Sequence, residues 1–190
     1  WRDLAIFAYK GRTMSRTHLI PIIALGSLVA ACASPSLGPP PPTPVSSRPA
    51  EFSAADFAWS QRAGTNVVAG QLVYRQGILR YTCASSTVVL TPETPWSRRR
   101  MAALYGSTER AALPSDDVRA RTPNAPAGDA GPYVKRSTCD DADQFAFAGL
   151  ADGAWFAITI ARPVNNPKGA NMALMRRVVV RGGKRVPLAL

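Results

Sequence analysis

The stretch DADQFAFAGLADGAWFAITIA, residues 141–161, decides the fold. Phe145 and Phe147 alternate with small residues, and residues 155–161 form the run most typical of a β-strand in the whole chain. The Asp-Gly pair at residues 152–153 lies between these two runs, where a turn is expected. The stretch therefore predicts two successive strands that are joined by a turn, with both phenylalanines facing a core.

Further strand-like runs continue on both sides of this stretch. Residues 65–74 are rich in β-branched side chains, and Gly70 within them indicates a bulge or a close approach of another group. The remaining runs are residues 78–84, 87–90, 133–139, 174–180 and 185–190. We expect the last two to form a hairpin around the glycines at 182–183. The spacing predicts an all-β sandwich of about seven strands over residues 51–190.

One insert interrupts the strand pattern. Thr94 before Pro95 is typical of a helix N-cap followed by proline at the first helical position, and Gly106 is typical of a helix end. The sequence therefore predicts one short helix over residues 96–105. Residues 106–132 hold four prolines after residue 110 and few periodic apolar positions, so we predict a long loop there, either mobile or a variable binding surface.

The chain also carries an export signal. A basic residue and the short apolar segment 19–31 precede Cys32, and the segment ends in small residues. A helix that spans a bilayer needs ~20 apolar residues, so this segment is too short to be one. We predict a signal peptide over residues 14–31. Residues 1–13 are interpreted as an upstream segment that is not native to the protein.

The tetrapeptide VAAC at residues 29–32 resembles the lipobox of bacterial lipoproteins. The resemblance implies that Cys32 becomes the acylated first residue of the mature chain, and an ordinary cleaved signal is the alternative. Two or three acyl chains hold a protein stably on a membrane, whereas one gives marginal binding. In that family an Asp after the cysteine commonly retains the protein in the inner membrane. Because Ala33 stands there, the resemblance implies the periplasmic face of the outer membrane.

Residues 32–50 form a proline-rich segment between the predicted lipid and the domain. Four consecutive prolines at residues 39–42 lie at its centre, and it has no apolar face to bury. Such a run favours extended polyproline II, which over this length would span roughly 50 Å. We interpret it as a tether. A docking ligand for an aromatic groove is the alternative.

Composition limits the partners and the chemistry. The chain has 23 Lys and Arg against 12 Asp and Glu, which favours anionic partners, although an arginine-rich solvated surface is the simpler explanation of the charge. An exported protein rarely meets nucleic acid, so none is expected. The one histidine, His18, lies in the predicted signal. The mature chain therefore has no Ser-His-Asp or Cys-His arrangement and no histidine zinc site.

Residues 141–158 resemble the signature D-x-x-G-x-F-x-F-x-x-L-x-x-G-x-Y of carboxypeptidase regulatory-like, transthyretin-like β-sandwich domains. Residues 68–72 and 87–91 resemble the strands that begin those domains. Gln144 departs from the usual glycine. In that family the domain is an accessory or binding module without catalytic residues, so the resemblance implies no active site. The structural-signature residues that it implies, with tight turns at the last two glycines and Trp in place of Tyr, are Gly70, Phe145, Phe147, Gly149, Gly153 and Trp155.

Two cysteines remain after Cys32. Cys83 and Cys139 each lie next to the end of a predicted strand. Because export takes the chain to a compartment that oxidises thiols, we predict a disulfide between them. Two free buried thiols and a reactive pair are the alternatives.

An acidic cluster at Asp140, Asp141 and Asp143 has some features of a calcium loop. However, no further carboxylate follows at the EF-hand spacing, and turn formation accounts for all three residues. The sequence therefore predicts no metal and no cofactor.

Three functions remain open at this point. The first is a lipid-anchored envelope protein whose sandwich is a non-catalytic binding or structural module, with an envelope protein or polysaccharide as partner. The second is an enzyme, or an enzyme accessory, that acts on envelope polysaccharide or peptide through carboxylates such as Asp116, Asp117 or Asp141. A cleft with two facing carboxylates would favour the enzyme, and a filled sandwich with a flat face would favour the module. The third is binding of anionic lipid or lipopolysaccharide through arginines.

Overall fold

The computed structural model describes residues 51–166 and 168–190. The predictions for the upstream segment 1–13, the signal peptide 14–31 and the tether 32–50 with its Cys32 lie outside these residues.

The described part of the chain contains ten strands and two α-helices. The strands are β1 (Asn66–Gln71), β2 (Arg75–Gln76), β3 (Leu79–Thr82), β4 (Thr87–Pro92), β5 (Arg110–Pro114), β6 (Lys135–Thr138), β7 (Gln144–Leu150), β8 (Gly153–Pro163), β9 (Met172–Val180) and β10 (Arg185–Ala189). The helices are α1 (Pro95–Tyr105) and α2 (Ser115–Arg121), and short 3₁₀ helices cover Ala54–Gln61, Thr122–Asn124 and Gly131–Tyr133.

The strands form two sheets of unequal width, which pack as an all-β sandwich. The small sheet has the order β10-β1-β7, in which β1 pairs antiparallel with β7 and parallel with β10. The large sheet runs β5-β9-β8-β4-β6, and the β2–β3 hairpin pairs with the far end of β8. The large sheet is therefore five strands across where the small sheet is three.

The core between the sheets follows the alternation that the sequence predicts. Phe145 and Phe147 on β7 are buried, and Trp155 on β8 is fully buried. Trp59, from the 3₁₀ helix Ala54–Gln61, meets the Trp155 ring edge-on with ring centroids 5.0 Å apart. Other large side chains of this core include Tyr81, Leu90, Leu150, Met172, Leu174 and Val180.

A second core lies on the outer face of the large sheet. Strands β8 and β9 carry apolar residues on both faces, which a strand does only when both faces are covered. Met101, Leu104 and Tyr105 of α1 pack there against Phe156 and Met175. Burial raises the pKa of the Tyr105 hydroxyl to about 12.

Helix α1 begins and ends as predicted. The Thr94 hydroxyl accepts a hydrogen bond from the Ser97 amide at 3.1 Å, and the Ser97 hydroxyl accepts one from the Thr94 amide at 2.8 Å. This reciprocal pair is a capping box, with Pro95 at the first helical position. Gly106 ends the helix with φ 70°.

The predicted hairpin between the last two strands is wrong. Strand β9 pairs with β8 along one edge, and β5 occupies residues 172–176 of its other edge. After the turn at Gly182 and Gly183, which both have positive φ, the chain crosses to the small sheet. There β10 pairs parallel with β1, with Val68 opposite Val186.

The long loop predicted over residues 106–132 is also wrong, and so are the expected seven strands and single helix. Residues in this segment form β5, α2 and two 3₁₀ turns. Strand β5 extends the large sheet through β9, and Val118 of α2 packs on the outer core. Asp116 and Asp117 at the start of α2 and arginines at its end suit the helix dipole. This structure depends on contacts with distant residues, which local periodicity does not reveal.

Two glycines of the predicted signature have distinct roles. A Cβ on Gly70 would lie 2.0 Å from Cζ of Phe145, so this glycine permits a close approach of the Phe145 ring and not a bulge. Gly149 has φ 68° inside β7, where three steps of β7 oppose two of β1. It therefore supports a β-bulge, and not the tight turn that the resemblance implies.

The structure joins Cys83 and Cys139 by a disulfide, with their Cα atoms 5.7 Å apart. Cys83 directly follows β3 and Cys139 directly follows β6, and both are buried. The bond closes a loop of 56 positions between these strands. Breaking it would give the unfolded chain more freedom.

We expect the Cys83→Ser/Cys139→Ser variant to lose about 4 kcal/mol of unfolding free energy, because the chain-entropy model assigns that amount to a loop of this length. Urea denaturation of both proteins measures the difference. Reductant should destabilise the wild type and leave the variant unchanged. A difference below about 1 kcal/mol would show that the cross-link does not constrain the unfolded state.

We expect Gly70→Ala to destabilise the fold by about 1–3 kcal/mol, because its Cβ would overlap the Phe145 ring. In a Phe145→Leu background the same change should cost clearly less, since the ring is gone. A double-mutant cycle by chemical denaturation measures the coupling between the two positions. Additive costs would mean that Gly70 is needed for another reason.

Candidate functional site

One face of the sandwich remains uncovered in the described part of the chain. The inner faces of both sheets form the main core, and α1 and α2 cover the outer face of the large sheet. The outer face of the small sheet is exposed along β7 and β10. We therefore examined this face first as a binding surface.

The floor of this surface is made of small side chains. Because strand residues alternate between faces, Ala69, Ala146 and Pro187 all point outward. Ala69 lies directly opposite Ala146 on β7 and opposite Pro187 on β10. We call this surface the small-residue face; its outward members are Ala69, Gln71, Gln144, Ala146, Arg185, Pro187 and Ala189.

Polar groups surround this floor. Gln71 lies opposite Gln144, and the Gln71 side-chain amide donates to the carbonyl of Ala142 at 3.3 Å. Asp140 lies on one side of the depression and Arg176 on the other. The depression has a volume of about 820 Å³. It is shallow, with amide and charged groups at its margin and a flat floor.

A second recess, which adjoins the small-residue face, lies at the open side of the sandwich. Strands β5 and β9 extend the large sheet beyond the narrower small sheet, and the gap forms a cleft of about 490 Å³. We call it the arginine cleft. Apolar side chains and one tyrosine form its walls and three arginines its rim: Tyr74, Ala112, Leu174, Leu190, Arg75, Arg110 and Arg176.

Arg176 connects the two recesses. It lines both of them, and its Nη1 donates to the carbonyl of Ala189 at 2.7 Å. That bond holds the guanidinium against β10, between the floor of the small-residue face and the arginine cleft.

In the cleft itself, burial, together with the nearby Tyr81, raises the pKa of the Tyr74 hydroxyl. Tyr74 is therefore neutral at physiological pH and able to donate a hydrogen bond.

Two carboxylates of the acidic turn accept hydrogen bonds from other groups of the protein. Asp140 Oδ1 accepts from the amides of Ala142 and Gln144, at 2.9 and 2.8 Å. Asp143 Oδ1 accepts from the Thr82 hydroxyl at 2.6 Å and from a backbone amide. Across residues 51–166 and 168–190, no group of three or more His, Cys, Asp or Glu side chains is placed to hold a metal ion.

The carboxylates considered for an enzyme are not brought together. Asp116 pairs with Arg119 at 2.7 Å on the exposed surface of α2. Asp117 lines a groove between the two helices, whereas Asp141 lines a separate cavity beside Tyr81. No pair of facing carboxylates is assembled from these three residues.

Two arginines of α1, Arg98 and Arg100, make contacts within the fold. Arg98 pairs with Glu93, and this hydrogen bond raises the pKa of the guanidinium. Glu93 also pairs with Arg177 at 2.6 Å, which ties α1 to β9. Arg100 donates to the carbonyl of Pro126 at 2.6 Å and lies over the Trp96 ring.

Sequence reasoning missed both recesses. The alternating Ala and Gln residues of β1 and β7 were a usable signal for one uncovered face, because small outward side chains leave a sheet face flat. Arg110 and Arg176 gave no such signal, since only the pairing of β5 with β9 places them opposite each other. As for the membrane, no helix in the described residues has the length and apolarity to cross a bilayer.

Comparison with known proteins shows a likeness to a solved structure. No protein-family model matches the sequence, and no curated protein is significantly similar to it. Among solved structures, a crystal structure of a Pseudomonas aeruginosa protein, to which carbohydrate binding is provisionally attributed, has a similar fold. The two chains are 20% identical with a TM-score of 0.54, and the match covers 74% of this chain and 99% of that one. At this identity the likeness shows the fold alone.

Proposed function

We propose that this protein is a non-catalytic carbohydrate-binding module that a lipid on Cys32 holds in the bacterial envelope. The observation that carries the binding function is the small-residue face, a flat exposed floor with amide groups at its margin. The fold shared with a protein to which carbohydrate binding is attributed supports the same proposal. An envelope polysaccharide is the partner that fits a protein in this location.

The chemistry of the small-residue face suits a saccharide. A sugar ring has a C–H face that packs on a flat apolar floor and hydroxyls that both donate and accept hydrogen bonds. The side-chain amides of Gln71 and Gln144 offer donors and acceptors, and Arg185 adds donors in a planar fork. A few polar groups around an apolar floor are typical of sites that fix the orientation of a small ligand.

We further propose that the domain is of the carboxypeptidase regulatory-like, transthyretin-like type. Support comes from the β7-turn-β8 unit, which keeps Phe145, Phe147 and Trp155 in the core. The close approach of Phe145 to Gly70 supports it as well. Modules of that family bind and do not catalyse, which agrees with the scattered positions of Asp116, Asp117 and Asp141.

The anchor part of the proposal rests on the sequence VAAC at residues 29–32 and on the proline-rich residues 32–50 after it. An extended tether of roughly 50 Å would let the domain reach polymer beyond the membrane surface. The small-residue face would then bind polysaccharide on the periplasmic side of the outer membrane.

We expect radiolabelled palmitate to be incorporated into the full chain expressed in a Gram-negative host and not into its Cys32→Ser variant. Only the thiol of Cys32 can accept the acyl-bearing group in the proposed processing. Fluorography of the immunoprecipitated proteins checks this result. Equal labelling of both chains, or none in either, would contradict the anchor.

We expect the full chain, in a polyoxyethylene detergent, to bind at least one glycan on an array or intact peptidoglycan sacculi. Replacing two hydrogen-bonding amides by Gln71→Ala/Gln144→Ala should weaken that binding by roughly tenfold or more. Gln61→Ala, which removes an exposed amide away from both recesses, is the matched control and should bind like the wild type. Binding to no glycan, or equal binding by the double variant, would contradict the proposal.

A further inference from the structure

The arginine cleft brings like charges together in a way that a folded protein alone does not favour. Arg110 on β5 lies directly opposite Arg176 on β9. Opposed residues of an antiparallel pair share one face with their Cβ atoms about 5 Å apart, and like charges in this position destabilise a sheet. Arg75 lines the same cleft. Three arginine side chains therefore line one recess.

No side-chain carboxylate balances this charge within the described part of the chain. The charged side chains that line the arginine cleft are all arginines. Glu93 and Glu109 pair instead with Arg177, which points to the opposite face of β9 from Arg176. Among residues 51–166 and 168–190, Arg75 and Arg110 form no ion pair, so no described side chain supplies the cleft with an anion. Leu190, the last residue of the given sequence, also lines the cleft.

The cleft is continuous with the proposed carbohydrate site. Arg176 and Ala189 line both the small-residue face and the arginine cleft, and Arg185 adds a further positive charge on the face. A polymer that lies across the small-residue face would reach the cleft with a neighbouring sugar unit. The charge of the cleft therefore bears on which polysaccharide binds.

We propose that the ligand is an acidic polysaccharide and that one of its sugar carboxylates binds among Arg75, Arg110 and Arg176. This inference rests on the proposed carbohydrate-binding function and names the ligand class for it. The planar guanidinium fork of arginine matches a carboxylate with two parallel hydrogen bonds. The apolar wall at Ala112 and Leu174 excludes water from one side of the pair and strengthens it.

An anionic membrane surface is the competing source of negative charge. A bilayer presents a broad, flat array of phosphates, which suits cations on a protruding surface. Arg75, Arg110 and Arg176 instead surround a recess of about 490 Å³, into which a single substituent of a polymer can enter. The geometry therefore favours the polysaccharide, and a lipid arm in the experiment distinguishes the two.

The test compares two polymers that share one backbone. Polygalacturonate carries a carboxylate on every sugar, and its fully methyl-esterified form carries none. We expect the full chain in detergent to bind polygalacturonate at least tenfold more tightly than the ester in a titration. Arg110→Gln/Arg176→Gln should abolish that preference, because a charge-assisted arginine–carboxylate pair contributes about a factor of ten or more.

The matched control removes the same charge elsewhere. Arg62→Gln/Arg136→Gln replaces two exposed arginines that line neither recess, and it should keep the preference for polygalacturonate within about twofold, since distant surface charges are screened by salt. A thermal melt confirms that each variant is folded. If Arg110→Gln/Arg176→Gln unfolds, the exposed single variant Arg75→Gln carries the test and should lower the preference at least threefold.

Each of the following results would overturn this inference. The wild type could bind both polymers equally, or bind neutral glycans on the array but not polygalacturonate. Either result would support carbohydrate binding and contradict the acidic ligand. Loss of the preference in the Arg62→Gln/Arg136→Gln control would show that total charge, and not the cleft, selects the ligand. Binding to phosphatidylglycerol vesicles but to neither polymer would assign the cleft to lipid. Binding to no glycan at all would remove the proposed function as well.

Discussion

The pairing of β9 on both of its edges is the constraint on which the rest of the structure depends. Strand β8 occupies one edge from Met172 to Val180, and β5 occupies part of the other. The last strand leaves the large sheet and pairs parallel with β1 instead. The result is a sheet five strands across packed on one of three. The unmatched width creates the arginine cleft.

Burial on both faces of β8 and β9 explains which surface stays open. Phe156 and Met175 point away from the main core, and α1 and α2 cover them. The outer face of the small sheet carries the small apolar side chains of Ala69, Ala146 and Pro187, which require no such cover. The two helices that follow β4 and β5 therefore leave the opposite side of the sandwich free. The exposed face of the small sheet is thus a consequence of core packing.

The sequence predicted those features that short-range patterns determine. The alternation around Phe145 and Phe147 gave β7, the run containing Trp155 gave β8, and the residues Thr94 and Gly106 gave the ends of α1. The partners of β9, β5 and β10 could not be predicted in this way, because a strand's register depends on distant residues and its own sequence is compatible with several neighbours. The candidate site follows from that register. Arg110 and Arg176 are 66 positions apart in the chain and become neighbours only through the β5–β9 pair.

Hydrogen exchange by mass spectrometry, on the full chain with and without bound polygalacturonate, determines where on the sandwich the ligand binds. We propose that the ligand binds on the small-residue face of the small sheet and in the arginine cleft. We expect slower amide exchange over residues 69–76, 110–114 and 185–190 when the polymer is bound, with no change over residues 95–105 of α1. Protection confined to the helices, with unchanged exchange in β10, would contradict it.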